Sequence, residues 1–284
     1  MKKIQNILTV TLSALFLGGF LLAAILTPDK TDSLSERRTL AQRPALRASA
    51  VADGTYMTAF EKYTLDQFPL RDNFRALKAF FAGNILRERD NNGVYSAEDH
   101  LAKLDYPVNP DLIRRAAERF SAVYETYFTG GDANIYYTVV PDKNHFLAAQ
   151  NGYPAMDYAL LTDTLREGMP FAEYIDCFGT LSLDKYYRTD AHWRQEELGE
   201  TASAIAAAMD ASLPAEYETV DMSAAFRGVY AGQYALPVEP DALRYLTNDT
   251  IAALRVYDYE TGKEIPVYDP ALAAGRDGYE MFLG

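Results

Sequence analysis

The fold class of this chain is decided by the run Ala133-Asn134-Ile135-Tyr136-Tyr137-Thr138-Val139-Val140. Its β-branched and aromatic residues predict a buried strand. An amphipathic helix is predicted directly before it, because Asn109 is a suitable N-cap, Pro110 suits the first helical position, and apolar residues recur at helical spacing over residues 113–127. A helix followed by a buried strand and a polar loop is typical of an α/β sheet.

A second parallel strand is predicted from Phe171 to Phe178, after a further helix. In such sheets, functional groups gather at the carboxyl ends of the strands. The second strand leads to Tyr186-Tyr187-Arg188-Thr189-Asp190-Ala191-His192-Trp193, so we expect this stretch to lie near the loop that follows Val140. In that loop, Lys143 and His145 would either help to bind a substrate or form a solvent-exposed pair, and the second interpretation is favoured because no partner residue is identifiable.

The stretch 186–193 places a carboxylate and an imidazole two residues apart. A neutral histidine acts as a base when an acceptor holds one ring nitrogen as N–H and leaves the other nitrogen free. Asp190 can do this for His192 if the segment is extended or a turn, because helical spacing would point the two side chains apart. The alternative is that Asp190 caps a helix beginning at about Arg194 and that His192 packs under Trp193.

The order Asp190-Ala191-His192-Trp193 resembles the Asp-His-His-Trp signature of the DHHW family and the Asp-x-His-Trp form of the related AlgX/AlgJ group of SGNH-hydrolase-like proteins. Ala191 departs from the first pattern, since it stands where that family has its first histidine. Further pieces that resemble the DHHW family occur in the same order along the chain: Ser35 to Leu40 ahead of Pro44, Asp66 to Asp72, Asn92 to Tyr95, and Val140 to Lys143.

This resemblance implies an SGNH-hydrolase-like parallel sheet flanked by helices. It also implies a serine nucleophile, a histidine base and an orienting aspartate that act on O-acyl (acetyl) groups of a cell-envelope polysaccharide. His192 would be the base and Asp190 its orienting acid. In the AlgX/AlgJ arrangement the serine follows the histidine, yet Ser203, Ser212 and Ser223 lack the Gly-Asp-Ser type of setting.

We therefore expect the nucleophilic serine beyond residue 284, and a stop codon directly after that residue would contradict this expectation. The alternative function is a non-catalytic protein that binds glycan or a partner in the cell envelope. Tyr187 and Trp193 are candidate substrate-binding residues that would stack on a sugar ring. Simple packing is the other interpretation, and it is favoured for Trp193.

Two further chemistries remain open. Cys177 and His192 would form a thiol nucleophile pair, but a buried cysteine without an activating charge is usually inert. Asp190, His192 and Glu196 would form a metal site, but that set lacks another His or Cys ligand. We expect no metal ion and no cofactor.

Composition limits the possible partners and the compartment. The chain has 284 residues, 49% of them apolar, which is enough to bury a sizeable core. Its formal net charge of −13 argues against a nucleic-acid partner, because neutralising phosphates requires clustered Lys and Arg. Cys177 is the single cysteine in the sequence, so an internal disulfide is excluded.

The N-terminal sequence predicts a membrane anchor. Lys2 and Lys3 precede an uncharged run from Ile7 to Thr27, which is long enough to cross a bilayer as a helix. We interpret residues 1–28 as an uncleaved signal-anchor and residues 29–52 as a linker. Residues 53–284 are interpreted as one SGNH-like domain on the extracytoplasmic side of the cell membrane.

Two other regions have clear patterns. Residues 54–86 predict a helical hairpin broken at Phe68-Pro69. Residues 220–270 are predicted to be β-rich, with strands in Phe226–Ala235 and Leu243–Tyr259. A hairpin turn is expected between Val256-Tyr257 and the strand that begins at Ile265.

Overall fold

The computed structural model describes residues 2–213 and 216–282. The chain divides into two compact units, Met1–Leu86 and Arg87–Gly284. The first unit contains α1 (Lys2–Leu26), β1 (Asp32–Ser33), β2 (Arg38–Thr39), α2 (Ala48–Ala52), α3 (Thr55–Asp66) and α4 (Arg71–Phe80), which continues as a π-helical turn over Phe81–Leu86.

α1 is the membrane candidate. By length and composition it is long and apolar enough to cross a membrane, and none of its residues is buried. The two helices of the predicted hairpin and the break between them are confirmed, since α3 ends at Asp66 and α4 begins at Arg71. The break falls at Phe68-Pro69, where the proline ring prevents a continuous helix.

Residues 29–52, predicted to be a linker, contain the small antiparallel pair β1–β2. Arg38 ties this pair to the end of α3, with Nη1 and Nη2 donating to the two carboxylate oxygens of Asp66 at 2.8 and 2.5 Å. The backbone amide of Ala41 donates to the same carboxylate at 2.8 Å. The hydrogen bond from Arg38 lowers the pKa of Asp66 to about 2. This segment therefore has a defined structure.

The second unit mixes helices and strands. Its elements are β3 (Val94–Ala97), β4 (His100–Lys103), α5 (Pro110–Tyr127), β5 (Ile135–Thr138), α6 (Asn144–Leu147), α7 (Tyr158–Gly168), β6 (Ala172–Ile175), α8 (Gly199–Ala208), β7 (Glu218–Phe226), α9 (Val229–Tyr234), β8 (Asp241–Thr247), α10 (Asp249–Ala253), β9 (Val256–Asp258) and β10 (Lys263–Ile265).

The predicted helix–strand–helix–strand order is confirmed around β5. The side chain of Asn109 accepts hydrogen bonds from the amides of Asp111 and Leu112 and so caps α5. β5 and β6 pair in parallel, from Ile135 with Ala172 onward, and α7 connects them. The parallel pairing extends over only these two strands among the described residues. The larger parallel sheet of the SGNH-like prediction is not seen there.

The β-rich part is confirmed at β7–β8 and at the β9–β10 hairpin, both antiparallel. Helix α10, however, interrupts the predicted strand region Leu243–Tyr259, and β10 ends at Ile265, where the second strand was predicted to begin. The prediction of a strand over Phe226–Ala235 is wrong, because Val229–Tyr234 form helix α9. Tyr230, Ala231 and Gly232 are all buried in it. Three consecutive buried residues do not fit the alternating exposure of a strand with one solvated face, so tertiary packing overrides the local preference.

The core of the second unit surrounds the stretch 186–193. On one side, Tyr187 lies in a buried cluster with Phe226, Leu243 and Met281. On the other side, Ala191 packs against a cluster formed by Val94, Leu101, Tyr230 and Ala231. The stretch is therefore held between two apolar clusters, and the small side chain at position 191 fits against one of them.

Candidate functional site

The loop that carries the predicted site is closed by backbone pairing. Tyr186 and Trp193 form an antiparallel bridge, and the amide of Tyr187 donates to the carbonyl of His192 at 3.2 Å. No helix interrupts residues 186–193. Asp190 therefore lies in a turn, which is the condition that the two-residue spacing requires for a contact with His192.

Asp190 and His192 are in contact, as predicted. The Nδ1 atom of His192 lies 2.5 Å from Oδ1 of Asp190, and the backbone amide of His192 donates to the same oxygen at 3.1 Å. The Asp190 side chain is fully buried, whereas 49% of the His192 side chain is exposed. No hydrogen bond within residues 2–213 and 216–282 involves Nε2 of His192. The ring therefore has one nitrogen fixed by a carboxylate, while its catalytic role stays a prediction.

The second oxygen of Asp190 is held by α9. The amide of Val229 donates to Oδ2 at 2.7 Å. Gly228 precedes it and leaves no room for a side chain, since a Cβ there would lie 2.2 Å from the Cβ of Asp190. Our sequence reasoning missed both residues. The one available signal was a glycine directly before an apolar run.

Asp241 fixes the backbone next to Asp190. Its carboxylate accepts hydrogen bonds from the amides of Arg188 and Thr189 at 2.8 and 2.9 Å and from the Thr189 hydroxyl at 2.6 Å. The amide of Gly228 donates in turn to the Thr189 hydroxyl at 2.8 Å. These bonds join the loop to the starts of α9 and β8, and they fix where the Asp190 carboxylate lies.

Lys143 is fully buried, so its prediction as a solvent-exposed residue is wrong. Its ammonium donates to the carbonyls of Tyr187 and Arg188 at 2.7 and 3.2 Å, which replaces hydration. Burial lowers the pKa of Lys143 to about 8, and the carboxylates of Asp142, Asp190 and Asp241 oppose that shift. Lys143 therefore joins the loop that follows β5 to the stretch 186–193. The order of the strands predicted that this loop and that stretch lie close together. His145 remains exposed.

Tyr279 covers one face of the His192 ring. The two rings stack with centroids 3.9 Å apart and an interplanar angle of 13°. Burial raises the pKa of Tyr279 to about 12, and the charges of Asp190 and Asp277 add to the shift. A neutral phenol therefore restricts the rotation of the imidazole. Sequence reasoning had assigned no role to this residue.

The two predicted substrate-binding residues differ in exposure. The Tyr187 side chain is fully buried, with its ring 5.2 Å from that of Phe226. It cannot reach a sugar without unfolding the core, so the packing interpretation applies to it. Trp193 is partly exposed, and its role in binding stays a prediction.

The other chemistries that the sequence left open have little support in the described part of the chain. Cys177 is fully buried. Glu196 accepts hydrogen bonds from Arg194 at 2.7 and 3.0 Å, and no group of three His, Cys, Asp or Glu residues that could hold a metal ion occurs among the residues described. The Ser203 hydroxyl donates to the carbonyl of Gly199, a helix backbone group, at 2.8 Å.

The fold and site define a mixed α/β protein with a buried aspartate that orients a half-exposed histidine. No protein-family model matches the sequence, and no curated protein matches it.

Two solved structures are similar to the chain. One is a DHHW family protein from Eubacterium siraeum, 19% identical, with a TM-score of 0.46 and coverage of 56% of this chain and 56% of that chain. The other is Bacillus cereus PatB1, 13% identical, with a TM-score of 0.46 and coverage of 66% and 71%.

The chain thus spans 56% of the length of the DHHW family structure. The relation to the AlgX/AlgJ group stays a prediction.

Proposed function

We propose that this chain is a membrane-anchored, extracytoplasmic SGNH-like protein that acts on O-acyl groups, such as acetyl groups, of a cell-envelope polysaccharide. The observation that carries the proposal is the contact between the buried carboxylate of Asp190 and Nδ1 of the half-exposed His192 ring. A pair of this kind prepares an imidazole for general-base catalysis.

In the proposed reaction, Oδ1 of Asp190 accepts the Nδ1–H and leaves Nε2 of His192 unprotonated. Nε2 takes the proton of a serine hydroxyl as the serine oxygen attacks the acyl carbon. The histidine then gives that proton to the departing sugar oxygen, and an acyl-serine remains. Water or a second hydroxyl releases the acyl group by the same proton path. The positive imidazolium is stabilised by the Asp190 carboxylate throughout.

The proposal requires a serine at Nε2. No serine among residues 2–213 and 216–282 forms a hydrogen bond with the His192 ring. The position of this serine stays a prediction. Trp193, which is partly exposed beside His192, is the remaining candidate for contact with a sugar.

The anchoring part of the proposal is supported by α1, which has the length and composition of a membrane-spanning helix. Large domains that follow such a helix are commonly exported. A polysaccharide of the cell envelope would then be within reach of the second unit.

The test is the release or transfer of acetyl groups by the full-length gene product. We expect His192→Ala to reduce the rate by about 10²–10⁴-fold, the usual contribution of a general base. His145→Ala is the matched control, because His145 is also exposed and its ring meets the aromatic rings of Phe146, Tyr158 and Phe178. Equal activity of the His192→Ala variant and the wild type would contradict the proposed role.

A non-catalytic glycan-binding protein is the second candidate, favoured by Ala191, which stands where the DHHW signature has its first histidine. Such a protein would show no ester turnover in any variant, and its affinity for the polysaccharide would survive His192→Ala. Binding of the acetylated glycan, measured together with ester release, separates the two functions.

A further inference from the structure

Helix α4 exposes its apolar face. Four large apolar residues recur along α4 and at its two caps, at spacings of four, three and four: Leu70, Phe74, Leu77 and Phe81. This spacing places them on one side of the helix, where they are 63%, 38%, 59% and 51% exposed. On the opposite side, Ala79 is only 1% exposed. In a helix of a water-soluble unit, the apolar side is the one that packs inward.

The polar side of α4 is fixed within the first unit. Arg71 donates through both guanidinium nitrogens to the carboxylate of Glu36, and Arg75 lies 3.6 Å from the same carboxylate. Asp72 accepts from the hydroxyl of Ser35 at 2.9 Å. These contacts hold α4 in the orientation that turns its apolar face outward, so the exposure is built into the unit.

The exposed face continues onto α1. The ring of Phe20 stacks on Phe68 with centroids 5.5 Å apart and 12° between the planes, and it meets the ring of Phe74 edge-on at 5.5 Å. Phe20 lies seven residues before Thr27, which is about 10 Å along a helix. With Thr27 at the lipid boundary, Phe68 and Phe74 would lie beside α1 at about the depth to which interfacial helices insert their apolar side, roughly 5–10 Å.

The charge of the first unit suits a lipid surface. Residues 27–86, which follow α1, contain 9 Lys and Arg against 7 Asp and Glu, whereas residues 87–284 contain 16 against 33. A basic unit with an exposed apolar helix face is typical of a protein segment that lies on an anionic bilayer.

We propose that the α4 face formed by Leu70, Phe74, Leu77 and Phe81 inserts into the bilayer that α1 spans. The hairpin of α3 and α4 is then an interfacial element in the leaflet at the C-terminal end of α1. This inference rests on the anchoring part of the proposed function and is independent of the acyl chemistry. It assigns to the hairpin a second membrane contact, which fixes the first unit against the lipid surface.

The test uses the full chain reconstituted into vesicles of phosphatidylcholine and phosphatidylglycerol. Leu77→Cys, Asp72→Cys and Leu15→Cys are labelled singly with an environment-sensitive fluorophore. The wild type carried through the same labelling is the blank, because its Cys177 is fully buried. Asp72 is the matched control on the same helix, with 59% of its side chain exposed. Quenching by doxyl-labelled lipid and by aqueous iodide is measured for each label.

We expect the label at position 77 to have blue-shifted emission and to be quenched by doxyl lipid, and the label at position 72 to be quenched by iodide. If the label at position 15 is quenched by lipid while that at 77 remains in water, the anchor stands and this inference is overturned. It is also overturned if the label at 77 is shielded from both quenchers, which would mean that protein covers the face. If neither the label at position 15 nor the label at position 77 is quenched by lipid, both the anchoring proposal and this inference fail.

Discussion

Replacing Gly228 with alanine tests how the site is built. The φ of Gly228 is −75°, so the backbone accepts alanine and only space is at issue. The new methyl group would lie 2.2 Å from the Cβ of Asp190, and one of the two residues must move. Overpacking of this kind costs roughly 1–3 kcal/mol. Losing the hydrogen bond from the Val229 amide to the carboxylate adds roughly 1.5–3 kcal/mol. We expect a loss of about 2.5–6 kcal/mol in the free energy of unfolding.

Urea unfolding followed by circular dichroism measures that loss. Gly199→Ala is the matched control, because no atom lies within 4 Å of a Cβ there. Nitrogen NMR of the imidazoles gives a second readout that is easily assigned, since the chain has three histidines. The His192 signals should change in Gly228→Ala alone. A Gly228→Ala protein that is as stable as the wild type, with unchanged His192 signals, would refute the close packing of Asp190 on this glycine.

Three further predictions concern stability. Leu243→Ala should lower the free energy of unfolding in urea by about 2–5 kcal/mol, because Leu243 is fully buried. The control Leu254→Ala, at a residue 52% exposed, should stay within about 0.5 kcal/mol of the wild type. Stability should rise from about pH 8 to 10.5, where the unfolded chain keeps the proton that buried Lys143 loses; a Lys143→Met variant that keeps this slope would contradict the assignment. As the pH falls from 3.8 to about 2, the wild type should lose the stability contributed by the Arg38–Asp66 pair, and Asp66→Asn should lack that part of the acid transition.

The elements that could be predicted are those with local signals. The cap at Asn109, the break at Phe68-Pro69 and the hairpin before Ile265 each depend on residues within a few positions of one another. The contact of Asp190 with His192 belongs to the same class, because a spacing of two residues on a turn is enough to bring the side chains together.

The rest of the site depends on residues that meet only in the folded chain. Lys143 lies 44 residues from the carbonyl of Tyr187 that it binds. Its charge and its place in a loop predicted exposure, and nothing nearby in the sequence announces the carbonyls that surround it. Gly228 and Asp241 were missed for the same reason, since their effect is on residues far upstream. Helix α9 was predicted as a strand because its aromatic residues favour strands while its burial is set by distant partners.

The residues that hold Asp190 determine when, during synthesis, the site around it can form. The amide that holds the second oxygen of Asp190 is 39 residues downstream, and the carboxylate that fixes Thr189 is 52 residues downstream. Closing loops of that length is entropically costly until the downstream segments have packed. A polypeptide that leaves the ribosome N-terminus first therefore cannot complete these hydrogen bonds until Asp241 has emerged. Nascent chains and fragments that end before this residue would have the aspartate and the histidine but not the downstream hydrogen bonds that fix the Asp190 carboxylate.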